Sequence, residues 1–117
     1  MPIDLRPLIG RWVNCDKHPT GISRIEIGTW EELPIVRVIG ACQPDPIDWG
    51  EAAGIAFVDS YDGLQTVAFT ANYHLAFVRV LLTGYLDKHQ LFVDAYSIFT
   101  DASGRASYVH RDSFYLP

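Results

Sequence analysis

Basic residues are scarce and scattered in this chain. Nine Lys and Arg stand against fourteen Asp and Glu, no two of the nine are adjacent, and the formal net charge is -5. Nucleic-acid binding rests on clustered cations that neutralise phosphates, so this balance argues against a nucleic-acid partner. Long apolar runs are also missing. No window approaches the roughly 18 uninterrupted apolar residues of a membrane helix, and no membrane partner is expected. The opening residues, Met1-Pro2-Ile3-Asp4-Leu5-Arg6-Pro7, lack the basic start and apolar stretch of a secretory leader. A cytoplasmic location is therefore expected, with the two cysteines, Cys15 and Cys42, as reduced thiols. Neither a glycine-rich phosphate loop nor a Gly-x-Ser-x-Gly elbow is present, which leaves nucleotide binding and serine hydrolysis without support. No cofactor is expected.

What the chain does have is alternation. Its 117 residues suit one domain, and 49% hydrophobic with 13% aromatic content is enough apolar surface to offset the entropy of ordering. A period of two runs nearly throughout, with no convincing helical pattern. Eight strands are predicted, at about 8–15, 22–29, 35–43, 49–60, 64–73, 76–86, 91–100 and 105–116. The connectors are short and carry turn residues, as in Asp62-Gly63 and Asp101-Ala102-Ser103-Gly104. Connections of this length join antiparallel neighbours and are too short for parallel crossovers. The expected fold is all-β, a single eight-stranded antiparallel up-and-down barrel over residues 1–117, its last strand pairing with its first.

The charges set the phase of each strand. Arg24 and Glu26 facing out send Ser23, Ile25 and Ile27 in, and Arg37 facing out sends Val36, Val38, Gly40 and Cys42 in. Arg79 outward places Val78, Val80, Leu82 and Gly84 inside. Asp94 outward does the same for Leu91, Val93, Ala95, Ser97 and Phe99. Large side chains remain on the outer face of the later strands: Phe77, Leu81, Tyr85, Phe92, Tyr96 and Ile98. A monomer rarely exposes so large a contiguous patch, so a homodimer or higher homo-oligomer through the strands near 77–98 is expected.

Two ends of the chain carry the architecture's clearest marks. In Gly10-x-Trp12-x-Asn14 the tryptophan and asparagine share one face, with glycine removing bulk beside them, an arrangement suited to an aromatic plug at one end of a barrel. The last strand holds Asp112-Ser113-Phe114. The first pattern resembles the first-strand signature of calycins, most closely of avidin-like barrels. Asp112-Ser113-Phe114 resembles the closing Asp-Thr-Phe strand of the avidins, and Thr66-Val67-Ala68-Phe69 the strand in which they place an inward tryptophan. The stretch from Cys42 through Pro44, Pro46 and Asp48-Trp49-Gly50 also resembles one that small bacterial proteins combine with Gly-x-Trp-x-Asn. The avidin resemblance implies that Asn14 and Asp112 contact the polar end of a ligand. Phe69 stands where that family stacks a tryptophan on biotin, and Val78, Val80, Leu82 and Ser97 stand at other positions of its pocket.

Several groups of residues are candidates for chemistry. Asn14, His110 and Asp112 come together if strands one and eight are neighbours. A His and an Asp two apart on a strand lie roughly 7 Å apart at Cα, close enough to flank a ligand's polar group or to pass a proton. Cys15, His18 and Cys42 gather at one end of the barrel. The spacing of Cys15 and His18 suits a zinc pair, yet a second closely spaced pair is missing and two ordinary thiols are the better reading. Trp49, approached by Pro44-Asp45-Pro46, reads equally as a lid over a cavity or as a plug. The leading expectation is a non-catalytic barrel that binds a small, largely apolar ligand. Its contacts would be Asn14, His110 and Asp112 as polar groups, Val36, Val38, Phe69, Val80 and Leu82 as wall, and Trp49 as lid. The alternatives are a barrel enzyme of isomerase or cyclase type using His110 and Asp112, and a structural or interaction domain with a filled core.

Overall fold

The structure, a computed structural model, describes residues 3–41 and 46–117. It is all-β. The strands are β1 (Gly10–Asn14), β2 (Ile22–Trp30), β3 (Leu33–Gly40), β4 (Ile47–Ala53), β5 (Ile55–Val58), β6 (Thr66–Leu75), β7 (Val78–Asp87), β8 (Gln90–Phe99) and β9 (Tyr108–Tyr115). They form one antiparallel sheet in the order β4-β3-β2-β1-β9-β8-β7-β6-β5, a nearly closed up-and-down barrel. Among the described residues no helix is long and apolar enough to cross a membrane.

Nine strands appear where eight are expected because one stretch of chain is divided. β4 pairs with β3 and β5 pairs with β6, and the two are parted only by Gly54. The backbone turns there from one sheet edge to the other. The Gly54 N–H donates to the Pro34 carbonyl at 2.8 Å, and a Cβ on Gly54 would lie 2.5 Å from the Thr70 carbonyl oxygen. A side chain has no room at this bend, so glycine lets the two edges come together.

The tight reversals follow hairpin geometry. Glu31 and Glu32 have φ of 51° and 67°, and Lys88 and His89 have φ of 49° and 68°, the left-handed conformation that a two-residue turn between twisted strands requires. A third reversal falls at Ala76-Phe77, since Leu75 pairs with Val78. The alternation places that turn two residues earlier. Phe77 is consequently a turn residue and not part of the outward stripe.

Inward positions are otherwise as the charges dictate. Ile25, Ile27, Val36, Val38, Val80, Leu82, Leu91 and Val93 are buried in one core. The exceptions lie at two bulges. Between β2 and β3 the register shifts at Ile22/Arg24, so Ile22 is buried, while Ser23, expected inside, is half-buried and donates its hydroxyl to the Ile39 carbonyl at 3.1 Å. A second shift at Arg37/Ile39 leaves Val38, Ile39 and Gly40 buried in succession. A bulge adds one residue to one strand and so breaks strict alternation. Cys42 lies outside the described residues.

One end of the barrel is sealed. The segment before β1 crosses it and is pinned where Asp4 donates to Leu64 and accepts from Thr66. Leu8 is fully buried there. Trp12, 2% exposed, donates its indole N–H to the Leu8 carbonyl at 2.8 Å. The outer face of β7 to β9 carries Leu81, Tyr85, Phe92, Tyr96, Ile98 and Val109, interrupted by an ion pair between Arg111 and Asp94 at 2.6 Å.

Candidate functional site

Among the described residues the end opposite Trp12 is open, and side-chain size is the reason. Toward the sealed end the inward residues are large: Trp12, Phe69, Leu82, Leu91 and Phe114. Toward the other end β7 and β8 turn Val78, Val80, Ala95 and Ser97 inward, and β2 is approached through Gly21. Smaller side chains around the same backbone circumference leave a void. The cavity measures about 440 Å³ and reaches from the mouth down to Val93 and Phe114.

β9 supplies its polar wall. Cross-strand pairing sets His110 opposite Ala95, Asp112 opposite Val93 and Phe114 opposite Leu91, so all three face the interior in descending order below Tyr108. The cavity accommodates these polar groups on an inward face. His110 Nε2 lies 3.2 Å from Asp112 Oδ2. The histidine side chain is 47% exposed at the mouth and the aspartate, one step deeper, 19%. Ser97, buried and directed inward, adds a hydroxyl to the same wall.

The rim is aromatic. Phe77 stacks on Phe99 with ring centroids 6.4 Å apart, and Phe99 meets Tyr108 at 6.1 Å. Arg105, in the loop between β8 and β9, lays its guanidinium over Phe77 and Phe99, with the central carbon 4.6 Å and 4.2 Å from the two centroids. Its nitrogens also donate to Ser103 Oγ at 2.9 Å and Asp101 Oδ2 at 2.8 Å. Hydrogen bonds from Ser103, with Arg105 beside them, hold the Asp101 carboxyl below the usual carboxylate range. Across the mouth Trp49 packs on Gly40, where a Cβ would sit 2.8 Å from the indole nitrogen, and makes an edge contact with Tyr73 at 5.6 Å. Trp49 lines the cavity from β4.

The residues expected to touch a ligand divide into two groups. Val80, Trp49, His110 and Asp112 line the cavity together. Asn14, Phe69 and Leu82 do not. Asn14 is buried with both ends of its amide engaged, donating from Nδ2 to the Ile22 carbonyl and accepting at Oδ1 from the Asp16 N–H, both at 2.8 Å. It ties the turn after β1 to β2. Phe69 and Leu82 are packed in the core toward the sealed end, as are Val36 and Val38, and Phe69 occupies the space that a side chain at Gly84 would need.

Cys15, a free thiol, and His18 are exposed on the loop after β1. Cys42 and the Pro44-Asp45 approach to Trp49 lie outside the described residues. Among the described residues no three His, Cys, Asp or Glu side chains are grouped to hold a metal. Arg105 carries no signal in the sequence that marks it as part of a site, and Phe77, expected on the outer face, reaches the rim because the turn falls two residues later. Phe99 and Ser97 face inward as the strand phase requires, and they belong to the wall because the layer they face is empty. No protein-family model matches the chain, and neither does a curated protein or a solved structure.

Proposed function

We propose that this barrel binds one small, largely apolar molecule through its open end and performs no chemistry on it. The observation that carries the reading is the cavity of about 440 Å³, walled by Val78, Val80, Val93, Ala95 and Phe99 and continuous with solvent. A barrel of this size holds either side chains or one small ligand, and here part of the interior is left to the second use. A filled core, the interaction-domain alternative, is disfavoured by the same void. Likeness to avidin-like and other calycin barrels, through Gly10-x-Trp12-x-Asn14, agrees with a ligand entering at the end away from the tryptophan. The outer stripe of β7 to β9 agrees with a homodimer.

The His110–Asp112 contact supports a second reading, acid or base catalysis on a bound substrate. Binding is the simpler use of the pair, because a histidine and a carboxylate in an apolar wall also orient a ligand's polar end.

Titration with Nile red, a neutral apolar fluorophore, tests the proposal. Saturable binding of one dye per chain is expected, with at least about tenfold weaker binding in Ala95→Trp, which fills the cavity from its wall. An unsaturable signal, or an Ala95→Trp variant that folds and binds as the parent does, removes the cavity from consideration.

A further inference from the structure

We propose that the cavity selects an organic cation, a primary amine or amidine carried on an aryl or alkyl body. The inference rests on the binding role above and adds a charge to it. Its first support is the Asp112 carboxylate, set in a wall of Val93, Ala95 and Phe114 and largely withdrawn from water. An ionised carboxylate in apolar surroundings is costly unless donors face it. His110 contacts one oxygen from the mouth side. A ligand ammonium or amidinium brings the remaining donors and the opposite charge.

The second support is independent of Asp112. The faces of Phe77 and Phe99 already hold a cation, the guanidinium of Arg105, at 4.6 Å and 4.2 Å. Such faces attract positive charge through the ring quadrupole, more strongly where water is excluded. Tyr108 extends the row toward His110. The Arg105 guanidinium covers these faces, so the rim already holds positive charge against π surface, and an incoming ammonium finds its own partner in the Asp112 carboxylate below them.

The third support is the local balance of charge. Arg105, the cationic residue at the mouth, is neutralised by Asp101 at 2.8 Å, and the chain as a whole carries -5. Among the described residues, Asp112 is the acidic side chain that lines the cavity, with His110 beside it. A ligand carboxylate placed in this cavity would face it as a like charge, and a neutral ligand would cover it without matching it.

Calorimetric titration of the whole chain with 4-phenylbutylamine, 4-phenyl-1-butanol and 4-phenylbutyrate separates these cases, since the three share one body and differ in the head. We expect the amine to bind at least about tenfold more tightly than the alcohol, and the acid most weakly. Asp112→Asn should bring amine and alcohol within about threefold of each other. Alcohol binding equal to amine binding overturns the charge preference and leaves the cavity role standing. Failure of all three to bind overturns both. An Asp112→Asn variant that keeps the full preference overturns the assignment of the cation to Asp112. The charge preference itself is measured on the unaltered chain and so does not depend on a variant's folding.

Discussion

The Tyr73 hydroxyl on β6 lies 2.6 Å from the Val36 carbonyl oxygen on β3 and 3.1 Å from that of Gly50 on β4. One side chain thus ties the two sheet edges across the place where β4 gives way to β5. Tyr73→Phe removes this tie at the cost of about 1 to 2 kcal/mol, as expected for a buried hydrogen bond whose acceptors stay behind. Burial, with Asp48 and Glu51 adding to it, pushes the Tyr73 hydroxyl up to about 12, against about 10 in the unfolded chain. Between those values the folded state keeps a proton that the unfolded state has released. The contribution is whole below pH 10 and is lost as pH rises toward 12, amounting to about 1 to 2 kcal/mol once partial screening by solvent is allowed for. Urea titrations from pH 9 to 12 should show the parent losing stability more steeply than Tyr73→Phe, and parallel slopes would refute the assignment.

Trp12 seals the end that the cavity does not use. Trp12→Ala should cost about 3 to 5 kcal/mol, the range for deleting a core aromatic, because Leu8 and the segment crossing the end lose both packing and a hydrogen-bond donor. The midpoint of denaturant unfolding measures it. A midpoint near the parent's would mean that the segment before β1 holds the end closed by itself.

Gly54→Ala tests the bend between β4 and β5. Its Cβ would meet the Thr70 carbonyl oxygen, a backbone atom that cannot rotate away, so a loss of about 1 to 3 kcal/mol is expected. Gly28, where a Cβ would meet nothing within 4 Å, is the control: Gly28→Ala should be near neutral. Equal stability of the two variants would show that the edges do not approach as closely as described.

The outward stripe predicts assembly. Leu81, Tyr85, Phe92 and Tyr96 leave apolar area in water that forfeits about 25 cal/mol for each Å² that pairing would cover. Light scattering after gel filtration should give at least twice 13.1 kDa at micromolar concentration. Leu81→Glu combined with Tyr96→Glu should return the monomer, and a parent that already runs as a monomer excludes this interface.

The barrel itself was legible because its two faces differ in chemistry. Arg37, Arg79 and Asp94 have to reach water, and in a period of two that requirement carries Val36, Val80 and Val93 inside with them. The boundary of Phe77 was not legible, since Leu75, Phe77 and Val78 suit a strand or a hydrophobic turn equally. Bulges at Ser23 and Arg37 depend on how partner strands meet, which no single strand records. Asn14 illustrates a different difficulty. A polar residue facing a barrel interior reads the same whether its amide is engaged by backbone or left for a ligand, and the answer lay in a turn whose shape only the folded chain displays. The cavity was least legible of all. It is a difference between the summed volume of the inward side chains and the space that the barrel encloses, so no individual residue announces it.

The pairing of β1 with β9 has a consequence for how the protein is made. β1 finds β2 as soon as the next residues emerge from the ribosome, but its other edge meets Phe114 and Tyr115 of β9, the last strand of the barrel. Every hairpin from β2 to β8 can form during synthesis, yet the ring stays open until β9 has emerged. Until then the interior apolar face has solvent on one side. A nascent chain stalled before residue 112 would present β1's unpaired edge and the hollow wall of β8 to its surroundings, and it would be a natural target for chaperones.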